Sequence, residues 1–128
     1  MAVRIVRLGT ERVPEEGLRI GTVRRPPRGV PKPEFASRNF YDVWLPLLAP
    51  AAATVKEALL AQSERDWRRF VKTYRREMEA PDPRATLDVL AALSRQTNFS
   101  VGCYCADESR CHRSILRELL SERGAKLA

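Results

Sequence analysis

Seven residues near the C-terminus, Phe99 to Cys105, put Phe99, Val101, Cys103 and Cys105 on one side of the chain and Ser100, Gly102 and Tyr104 on the other. This period-two spacing, with no charged residue in the run, predicts a buried central strand. A polar loop, Ala106 to Ser109, leads into a predicted helix from Arg110 to Arg123. Ile115, Leu116, Leu119 and Leu120 form its apolar stripe, and Gly124 is a natural stop. A strand that turns directly into a helix packed on it needs a sheet to belong to, and this unit more than any other restricts the chain to an α/β architecture.

The rest of the chain supplies compatible pieces. Val3 and Ile5 share one face of a predicted first strand, and Leu18 to Val23 reads as a second. Arg28 to Asn39 holds too many prolines for regular structure and reads as a long surface loop. Trp44, Leu45, Leu47 and Leu48 suggest a short apolar helix or turn, and Pro50 suits the first turn of a helix over Ala51 to Gln62. Ser63 with Asp66 three residues on forms a capping-box variant before the clearest helix, Glu64 to Glu79. Its Trp67, Phe70, Val71, Tyr74 and Met78 fall on one face. Asp82-Pro83 opens another helix, carried by Leu87, Leu90 and Ala91 to about Gln96. The expected fold is a small single α/β domain over residues 1–128, with a short, mostly parallel sheet flanked by helices.

Charge narrows the classes of partner. The net charge is +7, carried mostly by arginine, and favours anionic partners such as phosphates, nucleic acid or acidic protein surfaces. No apolar run approaches the roughly 20 residues that span a bilayer, so no membrane role is expected. The first ten residues lack the continuous apolar stretch of a secretory signal. Cys103, Cys105 and Cys111 are odd in number and clustered, a poor disulfide framework. A cytoplasmic, reducing setting is the expectation.

Three constellations could carry chemistry. The first is the turn from Cys103 to Arg113, since ligands of open α/β sheets bind beyond the carboxyl ends of the strands, where helix N-termini attract anions. Arg110, His112 and Arg113 add charge there, with Asp107 and Glu108 as the internal alternative to a bound phosphate or carboxylate. Three cysteines and one histidine match a zinc ligand set in type. Their spacing speaks against it, because Cys103 and Cys105 alternate on a strand and Cys111 and His112 are adjacent, neither the usual metal knuckle, so neither metal nor cofactor is expected. As a nucleophilic pair, adjacent Cys111 and His112 would diverge on a helix. A cysteine-phosphatase loop is disfavoured as well, since the position six after Cys105 is Cys111, with Arg110 one short.

The second constellation is the basic face of the Glu64 to Glu79 helix. Arg65, Arg68, Arg69, Lys72 and Arg76 lie nearly opposite the apolar stripe, as a solvated surface or as a phosphate-tracking stripe for nucleic acid. The third is the proline-bounded cluster Arg24, Arg25, Arg28 and Lys32, whose guanidinium groups suit phosphate or carboxylate.

Taken in order, Arg25-Pro26-Pro27-Arg28-Gly29 with Lys32, Trp44-Leu45 with Leu48-Ala49-Pro50, and Trp67 with Phe70, Tyr74 and Glu77 resemble the domain-of-unknown-function 488 family and its YeaO-like members. Cys111-His112-Arg113 after a cysteine-rich strand resembles the C-terminal element of other members. The likeness spans nearly the whole chain. Here Pro26 replaces the aromatic residue of the family's proline-arginine-glycine element, and Ala51 stands where a serine usually follows Ala-Pro. The resemblance implies an α/β fold and no established activity.

Carried over residue by residue, the resemblance makes Arg25, Arg28, Trp44, Cys111, His112 and Arg113 the best site candidates. Trp44 is expected in the pocket, the others at the anion, and Cys105 at the strand end is added as a pocket residue. The expected function is binding of a small phosphorylated or otherwise anionic ligand in a cleft. The alternative is a nonspecific nucleic-acid-binding or protein-interaction module using the basic helix. The residues leave open whether catalysis occurs.

Overall fold

The computed structural model describes all 128 residues. Four strands, β1 (Val3–Arg7), β2 (Leu18–Gly21), β3 (Val43–Trp44) and β4 (Phe99–Cys103), form one sheet in the order β1-β4-β2-β3. Every pairing in it is parallel. The alternating C-terminal segment is the central strand, hydrogen-bonded on both edges and buried at every residue. Val101 pairs with Ile5 on one side and Ile20 on the other. Three residues of the C-terminus close the outer edge of β1, where Val3 donates to the Lys126 carbonyl and Ala128 donates to that of Val3. This contact leaves less unpaired edge for another chain to occupy.

Four helices follow the order α1 (Ala52–Leu60), α2 (Glu64–Met78), α3 (Pro81–Leu93) and α4 (His112–Glu122). The expected face of α2 is the one that packs: Phe70, Tyr74 and Met78 are buried, and Trp67 and Val71 are partly so. Ser63 accepts from the Asp66 N–H at 3.1 Å, and the Asp66 carboxylate reaches back to the N–H of Gln62. Helix α3 begins at Pro81, earlier than the Asp82-Pro83 pair suggests, with Ala80 at its N-cap.

The helices pack on one face of the sheet. Val3, Ile20, Phe99 and Val101 join residues of α2, α3 and α4 in a single core. The opposite face, bearing Val6, Leu8 and Val23, is covered by the proline-rich segment through Phe35, Phe40 and Tyr41. The loop read as surface is therefore one layer of the domain. Trp44 also departs from expectation. Val43–Trp44 is a two-residue edge strand, too short to show alternation, and only Pro46–Leu48 forms a helical turn.

Two paired glycines allow the loop to lie this close. Gly21 and Gly102 are register partners. A Cβ at Gly21 would stand 2.3 Å from the Tyr41 ring, and one at Gly102 would stand 2.6 Å from the Val6 carbonyl oxygen. Gly102→Ala is expected to destabilise the fold by about 1–3 kcal/mol, the usual cost of overpacking. Urea denaturation of the variant against the parent checks it.

Charge is also buried beneath this loop layer. Arg19, in strand β2, is fully buried, and so is Glu16. Arg19 Nε and Nη2 donate to the Glu16 carboxylate at 2.7 and 2.9 Å, and Nη1 donates to the carbonyls of Thr10 and Asn39. Ser100, on the central strand, donates its hydroxyl to the same carboxylate at 2.6 Å.

Candidate functional site

The turn between β4 and α4 stands over the carboxyl end of the central strand. Cys103 ends β4, and Cys111 is the N-cap of α4 in an extended conformation, φ −131° and ψ 152°. Because Cys111 precedes the helix, its side chain need not diverge from that of His112. The His112 Nδ1 lies 3.8 Å from Cys111 Sγ, and Cys103 and Cys111 are joined as a disulfide, with Cys105 the free cysteine. This pairing departs from the expectation that three clustered cysteines make a poor disulfide framework. The strand end and the helix start converge in space without the short knuckle that spacing rules look for.

His112 is tightly held. Its Nε2 donates to the Thr22 carbonyl at 2.7 Å, which assigns the proton to that nitrogen and leaves Nδ1 with a lone pair. Its ring meets Tyr74 edge-on at 5.6 Å. Burial pushes the imidazole down to about 4, with the Arg113 charge acting in the same direction against the Thr22 hydrogen bond, so the ring is neutral near pH 7.

A cleft of about 330 Å³ opens beside this turn, with Val55 and Leu59 of α1 as one wall and Cys103, Cys105 and His112 opposite. A cavity of about 70 Å³, lined in part by Phe70, Cys105, Cys111 and His112, continues it inward. At the rim Arg24 is engaged structurally, donating to the carbonyls of Pro46, Ala49 and Pro50. Arg25 also lines the cleft, yet it is exposed and makes no ion pair. Arg28 lies in an adjoining hollow that shares Arg25 and Tyr104 with the cleft. The Tyr104 hydroxyl donates to the Arg25 carbonyl at 2.8 Å, tying the arginine loop to the end of β4.

The acids of the turn face other partners. Glu108 takes a bidentate pair from Arg117 at 2.7 and 2.9 Å, and the Asp107 carboxylate accepts from Ser109. Arg110 lines the inner cavity, but its guanidinium pairs with Glu64 and lies over the Trp67 ring at 5.4 Å. Arg113 is 4% exposed. Its Nη2 donates to the Cys105 carbonyl at 2.5 Å, while its Nε has no partner. Burial lowers its pKa, countered by Glu108 and Cys105, with the charges of Arg7 and Arg117 adding to the lowering. Arg113 thus supports the Cys105 turn from behind.

The structure brings Cys105, Cys111, His112 and Arg25 together, with Arg28 next door. It does not bring in Arg113 or Trp44. The Trp44 indole donates to the Val23 carbonyl, and its ring lies in a separate hollow with Lys32 and Tyr41. Sequence reasoning missed Cys103 as a site residue because a cysteine in an apolar alternation reads as core. It also missed the wall from α1, which carries no motif.

The basic face of α2 is exposed at Arg65, Arg68, Arg69, Lys72 and Arg76, and none of the five makes an ion pair. Three acids of that helix face elsewhere: Glu64 to Arg110, Asp66 to the N-cap, and Glu77 to the Ala51 N–H and the Thr54 hydroxyl. Arg75, a neighbour of this stripe, is held by Glu118 and Glu122 at 2.8 Å. No helix of the protein is long and apolar enough to cross a membrane.

Among known proteins, a family model described as DUF488-N3a, the active DUF488-N3 subclade, matches residues 3–124. No curated protein matches the chain, and no solved structure does.

Proposed function

The chain belongs to the DUF488 family, and on that footing we propose that it binds a small ligand carrying a phosphate or carboxylate in the cleft between α1 and the β4–α4 turn. The observation that carries this reading is the unpaired guanidinium of Arg25 on the rim of a cleft whose opposite wall holds Cys105 and His112. An apolar wall beside a free cation suits a ligand with an apolar body and an anionic end. Asp107 and Glu108, the acids that would repel such an end, are held by Ser109 and Arg117. The word active in the family model's description supports action on the bound ligand as well. The chemical groups for it are the exposed Cys105 thiol and the neutral His112 ring.

Thermal unfolding with sulfate or phosphate, against chloride at matched ionic strength, tests the site. An anion at 100 times its Kd stabilises by about 2.7 kcal/mol, on the order of 10 °C for a domain of this size. Arg25→Ala is expected to remove most of that rise and Arg28→Ala part of it, while Arg68→Ala on α2 keeps it whole. Sulfate also stabilises through exclusion from protein surfaces, so the variants and not the parent decide. If Arg25→Ala and Arg28→Ala respond as the parent does, the cleft reading fails. The unpaired α2 stripe, with nucleic acid as its partner, then becomes the better account of the charge.

A further inference from the structure

Three soft donors converge at the floor of the cleft. One ligand atom each from Cys103, Cys111 and His112 lies within 4.8 Å of the others. Zinc binds sulfur at about 2.3 Å and nitrogen at about 2.0–2.1 Å, so tetrahedral donors stand about 3.5–3.8 Å apart. Cys111 Sγ and His112 Nδ1 are 3.8 Å apart. The structure joins Cys103 to Cys111 as a disulfide, whose sulfurs cannot both ligate an ion. Their Cα atoms, however, are 7.9 Å apart, beyond the roughly 4.4–6.8 Å over which disulfides usually form, so an ion site here belongs to the reduced chain.

The surroundings suit an ion as well as the donors do. His112 gives its Nε2 proton to the Thr22 carbonyl, so the nitrogen facing Cys111 is the one with a free lone pair. Metal-ligating histidines are oriented in this way by an outer hydrogen bond. Cys111 caps an 11-residue helix, whose positive end favours a thiolate. Two thiolates and a neutral imidazole cancel the charge of a divalent ion, which makes burial of the assembly affordable.

We propose that Cys103, Cys111 and His112 bind one zinc ion, with the fourth position facing the small cavity toward Cys105. Three protein ligands and an open position are the pattern of zinc sites that do chemistry. The inference shares His112 with the anion-site proposal but not Arg25 or Arg28, so metal uptake and the Arg25→Ala response to sulfate can fail separately.

The test uses the full chain, reduced and purified without chelator, with cobalt as the spectroscopic stand-in for zinc. One equivalent of cobalt should bind and give a thiolate-to-metal charge-transfer band. Cys111→Ser should roughly halve that band. His112→Ala should keep the band but weaken binding at least 10-fold, and Cys105→Ser should retain the ion. Because a variant could fail to fold, native mass spectrometry of the parent is the second measurement: one zinc per chain, bound with loss of two thiol protons. A reduced parent chain that takes up neither metal overturns the proposal, as does one whose Cys103 and Cys111 return only as a disulfide. Loss of the ion in Cys105→Ser alone overturns the assigned ligand set.

Discussion

Glu16→Gln is expected to destabilise the protein by about 3–5 kcal/mol, the range for removing one partner of a buried ion pair. The cost arises from what remains. Arg19 is 0% exposed, and without Glu16 its guanidinium keeps the carbonyls of Thr10 and Asn39 but no hydrogen-bonded carboxylate. Ser100, donating to Glu16 at 2.6 Å from the central strand, also meets a poorer acceptor. The network joins the loop before β2, the strand itself and β4, so its loss loosens the layer that also carries Arg25 and Arg28. Equilibrium unfolding in urea measures the loss. A cost below about 1 kcal/mol would show that water or a rearranged acid replaces the carboxylate. Replacing both partners with apolar residues of similar volume should cost less than the single change, because no charge is then left buried.

The same substitution has a pH signature. Burial pushes the Glu16 carboxyl up, but hydrogen bonds from Arg19 and Ser100 and the charges of Arg19 and Arg12 together outweigh it and hold it below 4.5. A carboxyl that binds protons more weakly when folded contributes stability above its unfolded pKa and loses it as pH falls through the folded value. The parent should therefore lose stability more steeply than Glu16→Gln as the pH drops below about 4.5. Parallel acid limbs for the two proteins would contradict the pairing.

The legible parts of this fold are those where one period runs long enough. Five residues of β4 alternate, and four turns of α2 repeat an apolar face, so both elements and their buried sides follow from spacing alone. Strand β3 has two residues and no period to read. Glu16 and Arg19 are charged and sit beside a loop, which by composition means solvent; their burial depends on Ser100, 84 residues away from Glu16. The site shows the same division. Cys105, His112 and the arginine loop are visible as chemistry-bearing residues near a strand end. Their grouping depends on Cys111 being an extended N-cap and not a helical residue, a difference of one backbone conformation. Arg113 reads as a cleft cation for the same local reason, and only its contact with the Cys105 carbonyl shows it behind the turn.

Phe70→Ala should cost about 3–5 kcal/mol, the range for truncating a buried phenylalanine. Phe70 is 1% exposed, meets Trp67 edge-on at 4.9 Å and stacks on Tyr74 at 6.1 Å. Tyr74 in turn donates to the Leu48 carbonyl at 2.7 Å and supports the His112 ring. Truncation therefore removes the apolar area of one ring and takes one packing partner from each of two neighbours. The vacated volume adjoins the cavity of about 70 Å³ that Phe70 lines with Cys111 and His112, so the hole opens beneath the site. Surrounding atoms relax only partly into such a hole, and the cavity term adds to the lost transfer energy. Arg68→Ala, on the exposed face of the same helix, should stay within about 0.5 kcal/mol of the parent. Thermal and urea unfolding of the two variants side by side separate the faces of α2. Were Phe70→Ala to cost less than about 1 kcal/mol, α2 would not be packed on the sheet through this face, and the inner wall of the cleft would have to be drawn from other residues.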